Sequence, residues 1–217
     1  MSLSRVLAIP ALALLAIAAG CGGGAKTSAP ATTAAAASST TTTAAATTTS
    51  SSSSSGALTA EVQATAAGDI PDNQVFLTFH DGAAGYSLKY PEGWVQNGSG
   101  SNVSFSDKNN RIRVVVSAGP ALSLASVQRD IAALKTKTPS FSASTPSPVV
   151  LPAGPAFKVT YSTVSAPDPV TNKKVTLVVD RYYLSRSGKR ATIDLGAPKG
   201  VDNVDAYRLI SQSFRWR

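Results

Sequence analysis

Six stretches in the C-terminal two-thirds of the chain alternate apolar and polar residues with a strict period of two, and this limits the possible folds more than any other feature. Tyr86, Leu88 and Tyr90 alternate with Ser87 and Lys89, and Val103 and Phe105 with Ser104 and Ser106. Ile112, Val114 and Val116 alternate with Arg111 and Arg113, and Phe157, Val159 and Tyr161 with Lys158, Thr160 and Ser162. Val175, Leu177 and Val179 continue the pattern, as do Ala191, Ile193 and Leu195. Successive side chains on a strand project to opposite faces, so each stretch has one dry and one wet side. That is the signature of an antiparallel sheet, because a parallel sheet covered on both faces reads as continuous apolar runs.

The links between these stretches agree. Asp107-Lys108-Asn109-Asn110 and Ser185-Arg186-Ser187-Gly188-Lys189 are tight hairpin turns. A helix is predicted from about Leu124 to Thr136, with Leu124, Val127, Ile131 and Leu134 on one stripe and Ser123 as N-cap. A second runs from about Asn203 to Ser213, capped by Asp202 and burying Val204, Tyr207 and Ile210. Pro139 to Pro155 is proline-rich and holds an edge strand around Val149 to Leu151. The order ββββ-α-ββββ-α segregates strands from helices. The fold class is therefore α+β, with an antiparallel sheet of about six to eight strands and helices packed on its apolar face.

The N-terminal third is of another kind. Arg5 and the apolar stretch Val6 to Ala19 have the layout of a secretory signal and are too short to span a bilayer. The following Ala18-Ala19-Gly20-Cys21 resembles a bacterial lipobox, in which the cysteine becomes the acylated first residue of the mature protein. Position 18 is Ala where a lipobox usually carries Leu. The resemblance implies residues 1–20 as signal peptide and a fatty-acylated Cys21 as anchor, with the protein on the extracytoplasmic side of the cell membrane. Cys21 is the only cysteine, which excludes an intramolecular disulfide or a cysteine-built zinc site. Residues 21–70 read as a disordered tether of Gly, Ala, Thr and Ser, with a weak helical pattern at Leu58, Val62 and Ala66. A flexible coil of about 40 residues spans roughly 35 Å on average. Residues 71–217 form the globular domain.

Within that domain, Gly85-Tyr86-Ser87-Leu88-Lys89-Tyr90-Pro91-Glu92-Gly93-Trp94 is an amphipathic strand stopped by Pro91, turned at Gly93 and closed by an apolar Trp94. The chain end Leu209-Ile210-Ser211-Gln212-Ser213-Phe214 is a closing helix running into a short strand. Together these resemble the PsbP/DcrB-like α-β-α sandwich of exported bacterial lipoproteins. The resemblance implies a non-enzymatic binding or assembly module and supplies no catalytic residues to carry over.

The chemistry-bearing residues point the same way. His80 is the only histidine, and on a strand its side chain is directed away from that of Asp81. No G-x-S-x-G elbow or Walker loop exists, and no set of N or S ligands for a metal, so neither an enzyme nor a cofactor is expected. Asp180 and Asp194 sit on outward strand positions and pair across strands with Arg181 and Arg190. Tyr182 and Tyr183 face opposite ways, one into the core and the other as either an exposed binding aromatic or a cap on the sheet face.

From Pro71 onward there are 18 Lys and Arg against 10 Asp and Glu, a balance of +8 that favours anionic surfaces. No basic helix accompanies it, so nucleic acid is not the expected partner. The candidate residues for binding an anionic partner are Lys173, Lys174, Arg181, Arg186, Lys189 and Arg190, a basic stripe along one hairpin. The expected function is a membrane-anchored module that docks an envelope protein or an anionic wall polymer. The alternative is a carrier that holds a small apolar or anionic ligand between sheet and helix.

Overall fold

The computed structural model describes residues 52–217. The residues read as signal peptide, the expected anchor Cys21 and most of those read as tether lie outside them. The helices are α1 (Ser52–Ala67), α2 (Leu124–Lys137) and α3 (Val204–Ser213). The strands are β1 (Phe76–Asp81), β2 (Tyr86–Pro91), β3 (Val95–Ser99), β4 (Asn102–Asp107), β5 (Asn110–Ala118), β6 (Ser142–Ala143), β7 (Ser147–Leu151), β8 (Gly154–Val164), β9 (Thr176–Arg186), β10 (Lys189–Pro198) and β11 (Arg215–Trp216).

All strand pairings are antiparallel, and the class is α+β as the alternation predicts. Two sheets form, however, where one was expected. The larger has eight strands in the order β3-β4-β5-β10-β9-β8-β6, with β7 also on β8, and the smaller has the order β1-β2-β11. The division occurs at the Pro91 stop. The amide of Trp94 donates to the Pro91 carbonyl at 3.4 Å, and Gly93 takes φ +86, a conformation costly for any residue with a Cβ. The chain thereby leaves the small sheet and enters the large one, with Trp94 half-buried against the core.

The register decides which face each strand's apolar set covers. Lys158, Tyr182, Ile193, Val114 and Val103 form one rung, and Val159, Arg181, Asp194, Arg113 and Ser104 form the next, on the opposite face. The apolar sets of β4, β5 and β10 thus face one way and that of β8 the other, while β9 is apolar on both sides, with Tyr182 and Leu184 on the first and Tyr183 on the second. On the first face, Phe105, Ile112, Val114, Ile193 and Leu195 pack with Tyr86 and Leu88 of the small sheet and with Tyr207, Ile210 and Phe214. Aromatic stacking reinforces this core, with Tyr90 on Phe105 at 4.1 Å and Tyr86 on Phe214 at 5.7 Å between ring centroids. On the second face, Val127 of α2 meets Val159 and Tyr183, with Leu122, Ile131 and Phe157 around them. The helices therefore lie on opposite faces of the large sheet, not together on one. A helix can cover only apolar surface, and each face offers one such patch.

The helix ends follow local chemistry. Ser123 caps α2 by accepting from the Ser126 amide at 3.2 Å, and its own amide donates to Ser126 Oγ at 3.0 Å. Asn203, not Asp202, occupies the N-cap position of α3, and its side chain makes no cap bond. Asp202 Oδ1 accepts from the Val204 amide at 3.3 Å instead. Val204 is exposed, and Tyr207, Ile210 and Ser211 form the buried stripe.

The side chain of Asn203 serves the chain's entry to the domain. Its Oδ1 accepts from the Ile70 amide at 2.7 Å, while Asn110 Nδ2 donates to the Gly68 carbonyl at 2.5 Å. Two further observations revise the reading of residues 21–70 as tether throughout. Ser52–Ala67 is helical, with Leu58 and Val62 exposed, and the residues from Gly68 onward are pinned to the domain. The weak helical pattern at Leu58, Val62 and Ala66 falls within this helix.

Candidate functional site

Two concave sites lie on the two faces of the large sheet. The first is a cavity of about 530 Å³ between the sheet and α3. Its floor is Val178, Leu195 and Ala197, one wall is Val149 and Leu151 of β7, and the roof is Tyr207 and Ser211 of α3. Pro198, Gly200 and Val201, in the link from β10 to α3, line it as well. Tyr207 is held by its hydroxyl, which donates to the Gly196 carbonyl at 2.6 Å. Burial pushes its pKa well above the ordinary tyrosine value, so it remains a neutral donor.

The polar part of this cavity is compact. Lys158 Nζ lies 2.7 Å from Asp180 Oδ2, and Thr160 Oγ1 donates to Asp180 Oδ1 at 2.6 Å. The ammonium also sits 5.5 Å from the centroid of the Tyr182 ring. Burial lowers the Lys158 pKa, but the hydrogen bond and charge of Asp180 more than offset this and hold it above the ordinary lysine value. A mainly apolar chamber with the Lys158–Asp180 pair at one wall and Arg208 and Gln212 on the α3 side suits a largely apolar ligand that carries a polar group.

The second site is a cleft of about 320 Å³ on the opposite face, beside the C-terminal end of α2. Arg111, Arg113, Arg181, Asp194 and Tyr161 line it. Arg181 and Asp194 are directly opposed on β9 and β10 and form a two-pronged pair, Nε to Oδ1 at 2.5 Å and Nη2 to Oδ2 at 2.7 Å. Their side chains are only 12% and 9% exposed. The Arg181 guanidinium further lies 5.5 Å and 5.8 Å from the Tyr161 and Tyr183 rings. Burial pushes the Tyr161 phenol up to about 12.

The six cations of the basic hairpin do not meet in one place. Lys173 and Lys174 are exposed in the loop before β9, and Arg186 is exposed at its far end, roughly 33 Å away for a strand of this length. Arg181 lies between them, committed to Asp194. Lys189 Nζ donates to the Ala84 carbonyl at 3.0 Å, and Arg190 Nε to the Pro120 carbonyl at 2.7 Å. Three of the six thus hold the domain together. The cross-strand pairing expected of the aspartates is present, Asp194 with Arg181 as one of the two arginines expected and Asp180 with Lys158 instead, and Asp194 is buried rather than outward. Arg190 takes no part in it.

Tyr182 and Tyr183 do face opposite ways, but both are buried, one in each core, so neither is presented to a partner. His80 is exposed on β1, and the Asp81 carboxylate turns to accept from the Ala84 amide at 2.6 Å. Among the described residues, no hydrogen bond joins His80 to Asp81, and no group of three or more His, Cys, Asp or Glu side chains could hold a metal ion. Apart from Arg181, which was among the candidate binding residues, sequence reasoning missed the residues of both concave sites. Leu195 read as core, Val178 fell on the face opposite Leu177 and Val179, and Arg111 and Arg113 read as a solvated face. The arginines left one trace, two like charges on one strand face.

No family model matches the chain, and no curated protein sequence matches it. Solved structures similar to it include the solution structure of cyanobacterial PsbP (CyanoP) from Synechocystis sp. PCC 6803. The identity is 15%, over 69% of this chain and 98% of that one, with a TM-score of 0.47. The Ran-binding protein Mog1p of Saccharomyces cerevisiae is 10% identical over 66% of this chain and 96% of its own, with a TM-score of 0.45. LpqN of Mycobacterium tuberculosis, involved in cell envelope biogenesis, is 17% identical over 66% of this chain and 91% of its own, with a TM-score of 0.41. Likenesses this distant say nothing about ligand or partner. The fold class rests on the strand register and helix placement described above.

Proposed function

We propose that this protein is a non-enzymatic binding module, tethered by an acylated Cys21 to the outer face of the cell membrane, that holds a small, largely apolar ligand between its large sheet and α3. The observation that carries the reading is the cavity of about 530 Å³, which falls in the size range of small-molecule sites and is walled mainly by aliphatic side chains. The Lys158–Asp180 pair gives it one polar contact point. Docking of an envelope protein or an anionic polymer along the basic hairpin draws less support, because Arg181, Lys189 and Arg190 are engaged within the domain.

Two measurements test the proposal. Cells fed labelled palmitate should label the unaltered chain and leave a Cys21→Ser chain unlabelled. An unlabelled parent chain defeats the anchor. For the ligand, full-chain protein in lipid nanodiscs should take up the neutral dye N-phenyl-1-naphthylamine beyond empty nanodiscs. Val178→Trp should abolish that excess by filling the cavity from its floor. Equal uptake by Val178→Trp, or no excess in the parent, refutes the cavity reading.

A further inference from the structure

The cleft on the α2 face has no place in that function, and its charge is out of balance. Asp194 is the one carboxylate among the residues that line it, and both its oxygens are taken by Arg181. That pair is electrically neutral. Arg111 and Arg113 remain, two residues apart on β5 and on the same sheet face, roughly 7 Å apart along the strand. Arg113 makes one hydrogen bond among the described residues, from Nε to Asn102 Oδ1 at 3.3 Å, and Arg111 makes none. Three arginines against one aspartate leave the cleft with a charge of +2.

Two guanidiniums side by side on one strand repel each other, and antiparallel sheets ordinarily relieve this with an acid on the facing strand. Asp194 does stand opposite Arg113, but both its oxygens are held by Arg181, and opposite Arg111 stands Gly196. A Cβ at Gly196 would lie 3.2 Å from Val179 Cγ2, so the glycine also keeps the floor of the cleft low. The result is an open space with cationic donors on one wall and the Tyr161 hydroxyl on another. The guanidinium fork matches tetrahedral oxyanions better than a point charge does. A phosphate group brings three or more acceptor oxygens and up to about −2 charge, enough to accept from both guanidiniums and to balance the +2 of the cleft.

We propose that Arg111 and Arg113 form the recognition wall of a second ligand site, specific for a phosphate group, in the cleft between β5 and the end of α2. Arg181 and Asp194 position this wall without contacting the ligand. The phosphate is carried either by a free solute or by the headgroup of a phospholipid, and the test separates the two.

Inorganic phosphate, and in a parallel experiment glycerophosphoglycerol as the deacylated headgroup, is titrated at constant ionic strength into the full chain. The protein is held in phosphatidylcholine nanodiscs, and the heat of binding is followed. At least one of the two should bind saturably with one site per chain, and the tighter one identifies the source. Arg111→Gln should weaken it by about 10- to 100-fold, the loss expected for a charge-assisted hydrogen-bonding partner. Arg113→Gln should do the same, and Arg111→Lys should recover only part of the loss because the charge returns without the fork. Arg111 is exposed, so its variants keep the fold, and an unchanged thermal melt checks this. Val178→Trp, on the other face, should leave phosphate affinity unaltered, so this site and the cavity stand or fall separately. Absence of saturable binding by either probe, or undiminished binding by Arg111→Gln and Arg113→Gln, overturns the proposal.

Discussion

The two faces of the large sheet each carry one ion pair formed across adjacent strands, and the pairs differ in what surrounds them. On the α3 face, Lys158 and Asp180 sit at the wall of an apolar cavity with side chains 31% and 24% exposed. On the α2 face, Arg181 and Asp194 are nearly closed off, doubly hydrogen-bonded and packed beside two tyrosines. A partly solvated pair gains little because water screens it, whereas a buried one becomes costly to break because a lone charge is stranded. The apolar face therefore has the adjustable pair and the basic face the rigid one. This inverts the simple expectation that the drier-looking side holds its charges more tightly.

The sharpest way to break this comparison is Asp194→Ala. It leaves the Arg181 guanidinium unpaired under α2 and should cost about 3–5 kcal/mol in urea denaturation. A cost below about 1 kcal/mol would show that the pair is solvated after all. Leu195→Ala, on the other face and fully buried, should cost about 3 kcal/mol through lost burial and an enlarged cavity. It should also alter dye uptake, which Asp194→Ala should not.

Alkaline pH separates the faces more gently. The Tyr161 pKa rises from 10.0 to about 12 on folding, first because burial penalises the phenolate and then because Asp194 repels it. The folded state thus holds this proton more tightly than the unfolded chain. Stability is unaffected below pH 10 and is lost as pH climbs from 10 toward 12. Tyr86 and Tyr207, on the α3 side, are shifted further by burial and should ionise later. Urea midpoints measured between pH 8 and pH 11 should therefore fall less steeply in Tyr161→Phe than in the parent. Identical slopes would remove Tyr161 from the account.

Smaller effects complete the series. Asp180→Ala should cost at most about 1 kcal/mol, as expected for a partly exposed pair. Arg111→Gln should stay within about 0.5 kcal/mol of the parent, since its side chain holds nothing in the fold. A large loss at either position, read by the same urea melts, would mean that the faces are more alike than their packing implies.

Much of the fold was legible in the residues. Period-two alternation identified antiparallel strands, Ser123 marked the start of α2, and the hairpin turns fell where Lys108 and Ser187 now adopt positive φ. The sites were less legible for a specific reason. Val178 and Leu195 look alike in sequence whether they pack against a neighbour or line a void. Arg111 and Arg113 look like solvated surface until the register places Gly196 opposite Arg111. Arg181 and Arg190 looked equivalent, yet one faces a carboxylate and the other a backbone carbonyl.

What the chain determined by itself is local. The strand alternation, the turn at Gly93 and the caps depend on backbone sterics and on contacts between residues close in sequence. Tertiary structure decided the rest. The apolar set of Ile112 and Val114 and that of Phe157 and Val159 obey the same alternation, but pairing through β10 and β9 turns them to opposite sides of the sheet. A strand's pattern specifies that one side is dry without specifying which side of the sheet that is. Only the register of its neighbours supplies that sign, and with it came two covered faces, the cavity under α3 and the arginine cleft beside α2.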